Sequence, residues 1–569
     1  MVVRILWVAV VCLFLLVSCR SVDDRLGCGP PFPEEVKDLS LVVASDLPGV
    51  WPSGMQAFVL RPTQRIGPGA FNRDLVLIDE HTATQWDAPA HFIPPEGSGL
   101  PNAGPMGAFT ADKVPVWQFV GEACVLDLSE HVDDAALGAS FLITRRMVQD
   151  WEAKHRPLGP GDVFVFRSGF SDRYYKPFPA GYRFAYEPIS GTSPAWPAPT
   201  PECVEYLASR GVWAAAIDST SMGPLPDLGL ATHVAGERHG MIWTEAATRL
   251  DQLPDTGSFY ALLAPKYGGG SGGEARVLAV TEPALAARLI ESARQKRVLD
   301  LTVTLGPNYP VTWPGNGAGD EATTFQQMPL HRFGSPRGPY FAQAHVLDSQ
   351  AGTHVVPPSF ALPEPGFDNR EYGSDVRRAL NKFEAEFGPR GYSTCTTESI
   401  PLNSLMGNAY VIDFRGLLAE SNRAGGVGSL SITIEMIKRH EDKHGPAQPG
   451  QVVLFYSGYT DSFFRPFPAG NRFLADPVAG KATGWLAPEP AVIEHLASRG
   501  VRCVGTDGPS FGDPSGSPEV YWAAGSRGVH LIECLTGLGE LLGKEAFFIF
   551  APIKLRGAHG GYGRAIALY

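Results

Sequence analysis

The chain states one passage twice. Gly161-Asp-Val-Phe-Val-Phe-Arg-Ser-Gly169 is matched by Gly450-Gln-Val-Val-Leu-Phe-Tyr-Ser-Gly458, Pro177-Phe-Pro-Ala-Gly181 by Pro466-Phe-Pro-Ala-Gly470, and Leu207-Ala-Ser-Arg-Gly-Val212 by Leu496-Ala-Ser-Arg-Gly-Val501, each 289 positions on. Asp218 and Asp507 share that displacement, and the openings match too: Asp38-Leu39 with Asp300-Leu301, Trp51-Pro52 with Trp313-Pro314. A period this long is a domain duplication, not a solenoid of short stacked units. The expected units are residues 29–281 and 297–569, and 569 residues exceed what a single core serves. The join, 282–296, is rich in Ala, Leu, Glu and Arg and reads as a helical linker.

Inside each unit, β-rich runs such as Val163–Phe166 and Val452–Phe455 are bounded by glycines. Amphipathic segments lie between them. In Pro201–Arg210, Val204, Leu207 and Ala208 recur at helical spacing before Gly211 and the apolar run Val212–Ile217. The fold class is α/β, with many Pro/Gly-rich loops.

A net charge of −12 and the lack of any basic run exclude nucleic acid as a partner, since such binding needs clustered Lys and Arg. Arg4 followed by the apolar run Ile5–Val17 is short for a membrane span, so residues 1–19 are expected to be a signal peptide and the mature protein secreted or exported. Leu16-Val17-Ser18-Cys19 also resembles a lipobox, in which Cys19 would carry a lipid anchor. The remaining cysteines, Cys28, Cys124, Cys203, Cys395, Cys503 and Cys534, are far apart with no CxxC spacing. Buried free thiols are the plain expectation; one or two disulfides fit an oxidising compartment, with the pairing unreadable.

The stretch His81-Thr-Ala-Thr-Gln85-Trp-Asp87-Ala-Pro89-Ala-His91 concentrates imidazoles, a carboxylate and a carboxamide. His81, Gln85, Asp87 and His91 share one parity, so an extended backbone would turn them to one face, and Pro89 argues against a regular helix and for a rigid loop. Such convergence suits a divalent metal; a hydrogen-bonded polar loop is the alternative.

These residues resemble the HxGTHxDxPxH signature of the cyclase family, which includes bacterial-type kynurenine formamidase and isatin hydrolase. Ala83 stands in place of its Gly and Gln85 in place of its second His. The family also draws a later His and Glu, about a dozen positions apart, into its metal site, and His233 and Glu245 fit. The resemblance implies a swivelling β/β/α-like domain, here in two tandem copies forming an intrachain pseudo-dimer, with further oligomerisation possible. It implies that His81, Gln85 and Asp87 ligate one metal, that Asp87, His233 and Glu245 are available to a second, and that His91 is the general acid/base. Zinc or manganese, one or two ions, would be the cofactor. Trp51, with Trp86, is expected to contact substrate, against the plainer reading of both as core or pocket-wall aromatics. The implied reaction is metal-dependent hydrolysis of a carbon–nitrogen bond in an aryl formamide or a cyclic or aromatic amide.

Other polar residues have plainer readings. His239 is expected at the surface or behind His233, His155 in solvent, and Gly268-Gly-Gly-Ser-Gly-Gly273 as a flexible hairpin-like connection, because no phosphate-loop Lys-Ser/Thr follows.

The second copy has lost most of the set. Gln350 stands for His81, Val356 for Asp87, Phe360 for His91 and Tyr521 for His233, leaving His354 and Glu533. It is expected to be catalytically silent, its two remaining ligands being scattered, and to serve the first unit as a partner subunit would. Two rival readings stay open: a secreted binding or structural protein inert in both halves, and a hydrolase of lactones or cyclic imides.

Overall fold

In this computed structural model the described residues are Cys28, 35–52, 55–67, 70–314, 325–334, 338–363, 367–371, 373–387, 394–424 and 429–569. The expected leader and Cys19 lie outside them. Among the described residues, each half builds one large mixed sheet, and a smaller sheet joins the halves.

In the first half nine strands run in the order Val36–Asp38, Arg276–Val280, Ser258–Leu263, Val120–Asp127, Asp162–Arg167, Ala214–Ile217, Ile242–Glu245, Gln85–Asp87, Gly272–Glu274. Gly272–Glu274 and Arg276–Val280 are parts of one stretch, so the first and last ladders meet and the sheet closes on itself. In the second half Gly561–Leu568 pairs with both His354–Val356 and Phe547–Pro552, with the same effect. Closure explains the uniform burial of the central strands, which read as continuous apolar runs rather than as alternation. Phe164, Phe166, Ala216 and Val277 have no exposed surface.

The repeated helix forms in both halves, at Pro201–Ser209 and Pro490–Ser498. In each, proline occupies the first turn, where its missing N–H costs nothing. In the first, the Thr200 hydroxyl also accepts from the Cys203 amide. The join between halves is the helix Pro283–Arg294, whose preceding Glu282 carboxylate accepts from the Ala284 and Leu285 amides.

The joining sheet takes two strands from each half, in the order Gln326–His331, Ala342–Asp348, Arg73–Asp79, Val59–Gln64. Leu77 pairs antiparallel with Val346. These two residues stand at the same place in the two copies, so the ladder has the register of a two-fold contact.

Ion pairs repeat the exchange. Lys554 of the second half reaches Asp38 of the first at 2.6 Å, and Lys266 of the first reaches Asp300 of the second at 3.0 Å. Each carboxylate also binds an arginine of its own half, Arg276 and Arg564. Cys28 is disulfide-bonded to Cys395 across the halves, while Cys124, Cys203, Cys503 and Cys534 are buried thiols. Among the described residues no helix is long and apolar enough to cross a membrane.

Two sequence expectations are corrected here. Gly268–Gly273 is not a loose connection: Gly272–Glu274 is a buried strand against Gln85–Asp87, and a Cβ on Gly272 would lie 2.1 Å from the Trp86 carbonyl oxygen. Only glycine permits that approach. His155 is not solvated but half-buried, stacked on Trp151 with ring centroids 4.8 Å apart.

Candidate active site

The signature stretch is not one extended strand. Residues 81–84 form a turn, Gln85–Asp87 a three-residue strand, and Pro89–His91 a single 3-10 turn with Pro89 at its first position. Proline thus starts a short helix instead of forbidding one. The turn at Ala83 is left-handed, φ 56°, and the equivalent Gly352 has φ 59°. The first copy therefore keeps at Ala83 a backbone shape that glycine adopts more easily.

Antiparallel pairing sets Glu245 opposite Gln85 and Trp243 opposite Asp87. The helix Gly229–Glu237, immediately before the Glu245 strand, holds its last six residues buried and directs His233 at the same point. Donor atoms of His81, Asp87 and His91 gather within 4.8 Å of one another, as do those of Asp87, His233 and Glu245. All five residues are buried.

The hydrogen bonds orient these donors inward. His233 Nδ1 donates to the Gly229 carbonyl at 2.7 Å, which leaves Nε2 facing Glu245 Oε1 at 3.2 Å and Asp87 Oδ2 at 3.6 Å. The Ser271 hydroxyl donates to Glu80 at 2.5 Å and so accepts from His81 Nε2 at 3.1 Å. His81 Nδ1 then faces Gln85 Oε1 at 2.5 Å and Asp87 Oδ1 at 3.1 Å. The Gln85 amide nitrogen donates to Glu245, turning its carbonyl oxygen toward the other ligands. Asp87 Oδ1 is fully buried and accepts no hydrogen bond of good geometry.

Electron-rich atoms aimed at one another in a buried space require a cation or shared protons. Burial opposes a charge on His81, yet the adjacent Asp87 outweighs it and lifts the imidazole to about 10. A metal taking the same acceptors would displace that proton. The residues present therefore fit a divalent ion, with Gln85 able to contribute its carbonyl oxygen.

His91 differs. Burial, with the neighbouring His81, holds it well below the usual imidazole value. Its Nδ1 donates to the carbonyl of Phe341, in the second half, at 2.6 Å, leaving Nε2 as a neutral acceptor. Its ring stacks on His81 at 4.0 Å.

Trp51, His81, Gln85, Asp87, His91, His233 and Glu245 all line one cavity of about 150 Å³, which Phe92, Phe184 and Tyr340 also wall. Trp86 does not: it has no exposed surface and meets Phe119 edge to face at 4.8 Å. Its expected substrate contact is corrected to a core role, because strand alternation turns it away from Gln85 and Asp87. His239 is exposed and paired with Glu205. Sequence reasoning missed Glu80, Ser271, Tyr340 and Phe341. Ser271 was hidden among glycines; Tyr340 and Phe341 could have been found as the repeat partners of Phe71 and Asn72.

The remnant in the second half is not scattered. His354 Nε2 lies 3.0 Å from Glu533 Oε2, and Tyr521 donates to Glu533 Oε1 at 2.8 Å. The Phe511 amide and the Ser510 hydroxyl complete the cluster. The Tyr521 hydroxyl fills by hydrogen bonding the place of an imidazole nitrogen.

The sequence model of the Cyclase family ("Putative cyclase") matches residues 37–224 and again 299–513, together more than half of the chain. The chain belongs to this family. Two matches in tandem agree with the duplication. The isatin hydrolase of Roseibium aggregatum is 28% identical over 218 residues, covering 37% of this chain and 74% of that protein. A solved isatin hydrolase bound to the product analogue thioisatinate shares 21% identity, with TM-score 0.37 over 43% of this chain and 92% of that one. Isatin hydrolase A from Ralstonia solanacearum shares 26%, with TM-score 0.35 over 43% and 92%.

Proposed function

We propose that the protein is a metal-dependent hydrolase that opens a carbon–nitrogen bond of an aryl formamide or of a cyclic or aromatic amide, with its active site in the first half. The observation that carries this reading is Asp87, a buried carboxylate shared by two donor groups, whose Oδ1 has only the poorly aligned Nδ1 of His81 beside it. The 28% identity to an isatin hydrolase supports the substrate class.

His81, Gln85 and Asp87 would hold one zinc or manganese ion, and Asp87, His233 and Glu245 a second. When bound, such an ion lowers the pKa of water and polarises a carbonyl oxygen. The chain's own residues do the rest. His91, neutral and fixed by Phe341, takes the proton of the attacking water at Nε2 and returns it to the departing nitrogen. Trp51, Phe92 and Tyr340 pack against the aromatic ring and keep bulk water out.

The second half has neither carboxylate nor base at the equivalent positions and acts as a built-in partner subunit, supplying Tyr340 and Phe341 to the live site. Export is part of this proposal. The Cys28–Cys395 disulfide supports an oxidising compartment, and mass measurement of the mature N-terminus would report cleavage or a lipid on Cys19.

The purified chain should carry zinc or manganese and turn over at least one of N-formylkynurenine, isatin and simple aryl amides. Asp87→Ala and His233→Ala should lose metal and cut turnover by 10³-fold or more, roughly the scale of removing an electrostatic catalyst. Full metal content in Asp87→Ala would refute the ligand assignment.

A further inference from the structure

The second half keeps a cavity where the first has its site, and it is the larger, about 290 Å³ against about 150 Å³. Trp313 and Phe473 line it as Trp51 and Phe184 line the first. Phe71 enters from the first half, as Tyr340 enters from the second. Phe71 and Phe360 stack at 4.7 Å, and Tyr521 stands edge-on to both at 5.8 and 5.2 Å.

Phe71, Trp313, Phe360, Phe473 and Tyr521 thus form an aromatic part of a wall that also carries polar side chains, and each charge on it is paired within the protein. His354 and Tyr521 satisfy Glu533, while the Asp348 carboxylate takes Arg73 at 2.5 Å and the Gln350 amide at 2.9 Å. A charged guest would surrender its hydration and find no free counter-charge. Of the five N–H groups of the Arg73 guanidinium, Asp348 engages one, and the side chain remains 20% exposed. Such a group can donate to a carbonyl oxygen without being asked to neutralise an anion.

We propose that this second cavity is a binding site for uncharged, flat aromatic carbonyl compounds of one or two rings, which it holds without hydrolysing. The rings lie among Phe71, Phe360, Phe473 and Trp313, and the carbonyl accepts from Arg73. No base or carboxylate occupies the positions of His91 and Asp87, so the guest leaves intact. The site stands whether or not the first half is a hydrolase.

The test is calorimetric titration of the full-length chain with oxindole, an uncharged two-ring lactam, beside indole-3-carboxylate as the charged control. Val50→Trp fills the first cavity and Thr312→Trp the equivalent place in the second. The Val50→Trp chain should still bind one oxindole, the double variant none, and Arg73→Lys should weaken the remaining event about tenfold, the scale of one lost hydrogen bond. Oxindole recovered from the Val50→Trp chain should be unchanged, and the carboxylate should bind at least tenfold more weakly. Binding abolished by Val50→Trp alone, or preference for the carboxylate, overturns the proposal. If a tryptophan variant does not fold, photolabelling of the unmodified chain with an azido-oxindole decides. Label on peptides containing Trp313 or Phe473 supports the site, and label confined to first-cavity peptides refutes it.

Discussion

Ser271 shows how much one residue outside the signature can decide. Its hydroxyl receives His81 Nε2 and gives its own proton to Glu80, which also accepts from His345 of the second half at 2.9 Å. This chain fixes the ring so that Nδ1 looks inward. A metal-binding imidazole without such a partner loses orientation and basicity. Ser271→Ala is accordingly expected to weaken metal affinity by about 10–100-fold while leaving the melting temperature nearly unchanged, as read by competition with a chelator and by thermal unfolding. Equal affinity in the variant would remove Ser271 from the site. Ala83, by contrast, replaces the glycine of the resembling signature without changing the turn, and pays in backbone strain for a methyl that packs beside Gly49.

At the scale of elements, the glycine-rich strand and the Tyr521 helix set the two cavities apart. Gly272 sits across from Asp87 with no room for a side chain. Gly272→Ala should push the strand off, costing about 1–3 kcal/mol by overpacking and drawing Ser271 away from His81. A chemical unfolding midpoint equal to that of the unmodified chain would contradict the packing. In the second half, the helix Glu519–Ser526 carries Tyr521 into the cluster with Glu533, and that hydroxyl stays whatever is done on the neighbouring strand. Val356→Asp with Phe360→His, placed in an Asp87→Ala chain, should therefore yield no turnover above background, since Tyr521 and not an imidazole stands in the place of His233. Measurable hydrolysis would show the second site to be only two residues from activity.

For the whole molecule, the reciprocal ion pairs are a pH-sensitive part of the bond between halves. Burial raises Asp38, but Arg276 and Lys554 more than offset it and hold its carboxyl at about 2, below the usual 3.8. A carboxylate depressed on folding contributes stability that is complete above its unfolded pKa and is lost as pH falls through the folded one. Asp38 should thus contribute about 2 kcal/mol at neutral pH, fading between about pH 4 and pH 2. Asp38→Asn is expected to lower the urea midpoint at pH 7 and to flatten its fall in that window. An unaltered acid slope would show that other carboxylates govern it.

Much of this protein is legible in its letters. The duplication, the α/β class and the convergence of His81, Gln85, Asp87 and His91 follow from local pattern and spacing, because repeats, periodicity and ligand chemistry are properties of the chain itself; His233 and Glu245 are found only through the resemblance to the cyclase family. The sequence could not say that Trp86 is core, that the glycine run is a strand, or which two of the six cysteines after Cys19 pair. Each depends on which segments lie side by side, and strand pairing, cross-half hydrogen bonds and disulfides join residues hundreds of positions apart. The tertiary structure alone decided that the second half lends Phe341 and Tyr340 to the first site while keeping a partly aromatic cavity of its own. Shape and burial arise only when both copies are packed, since neither half encloses its cavity by itself.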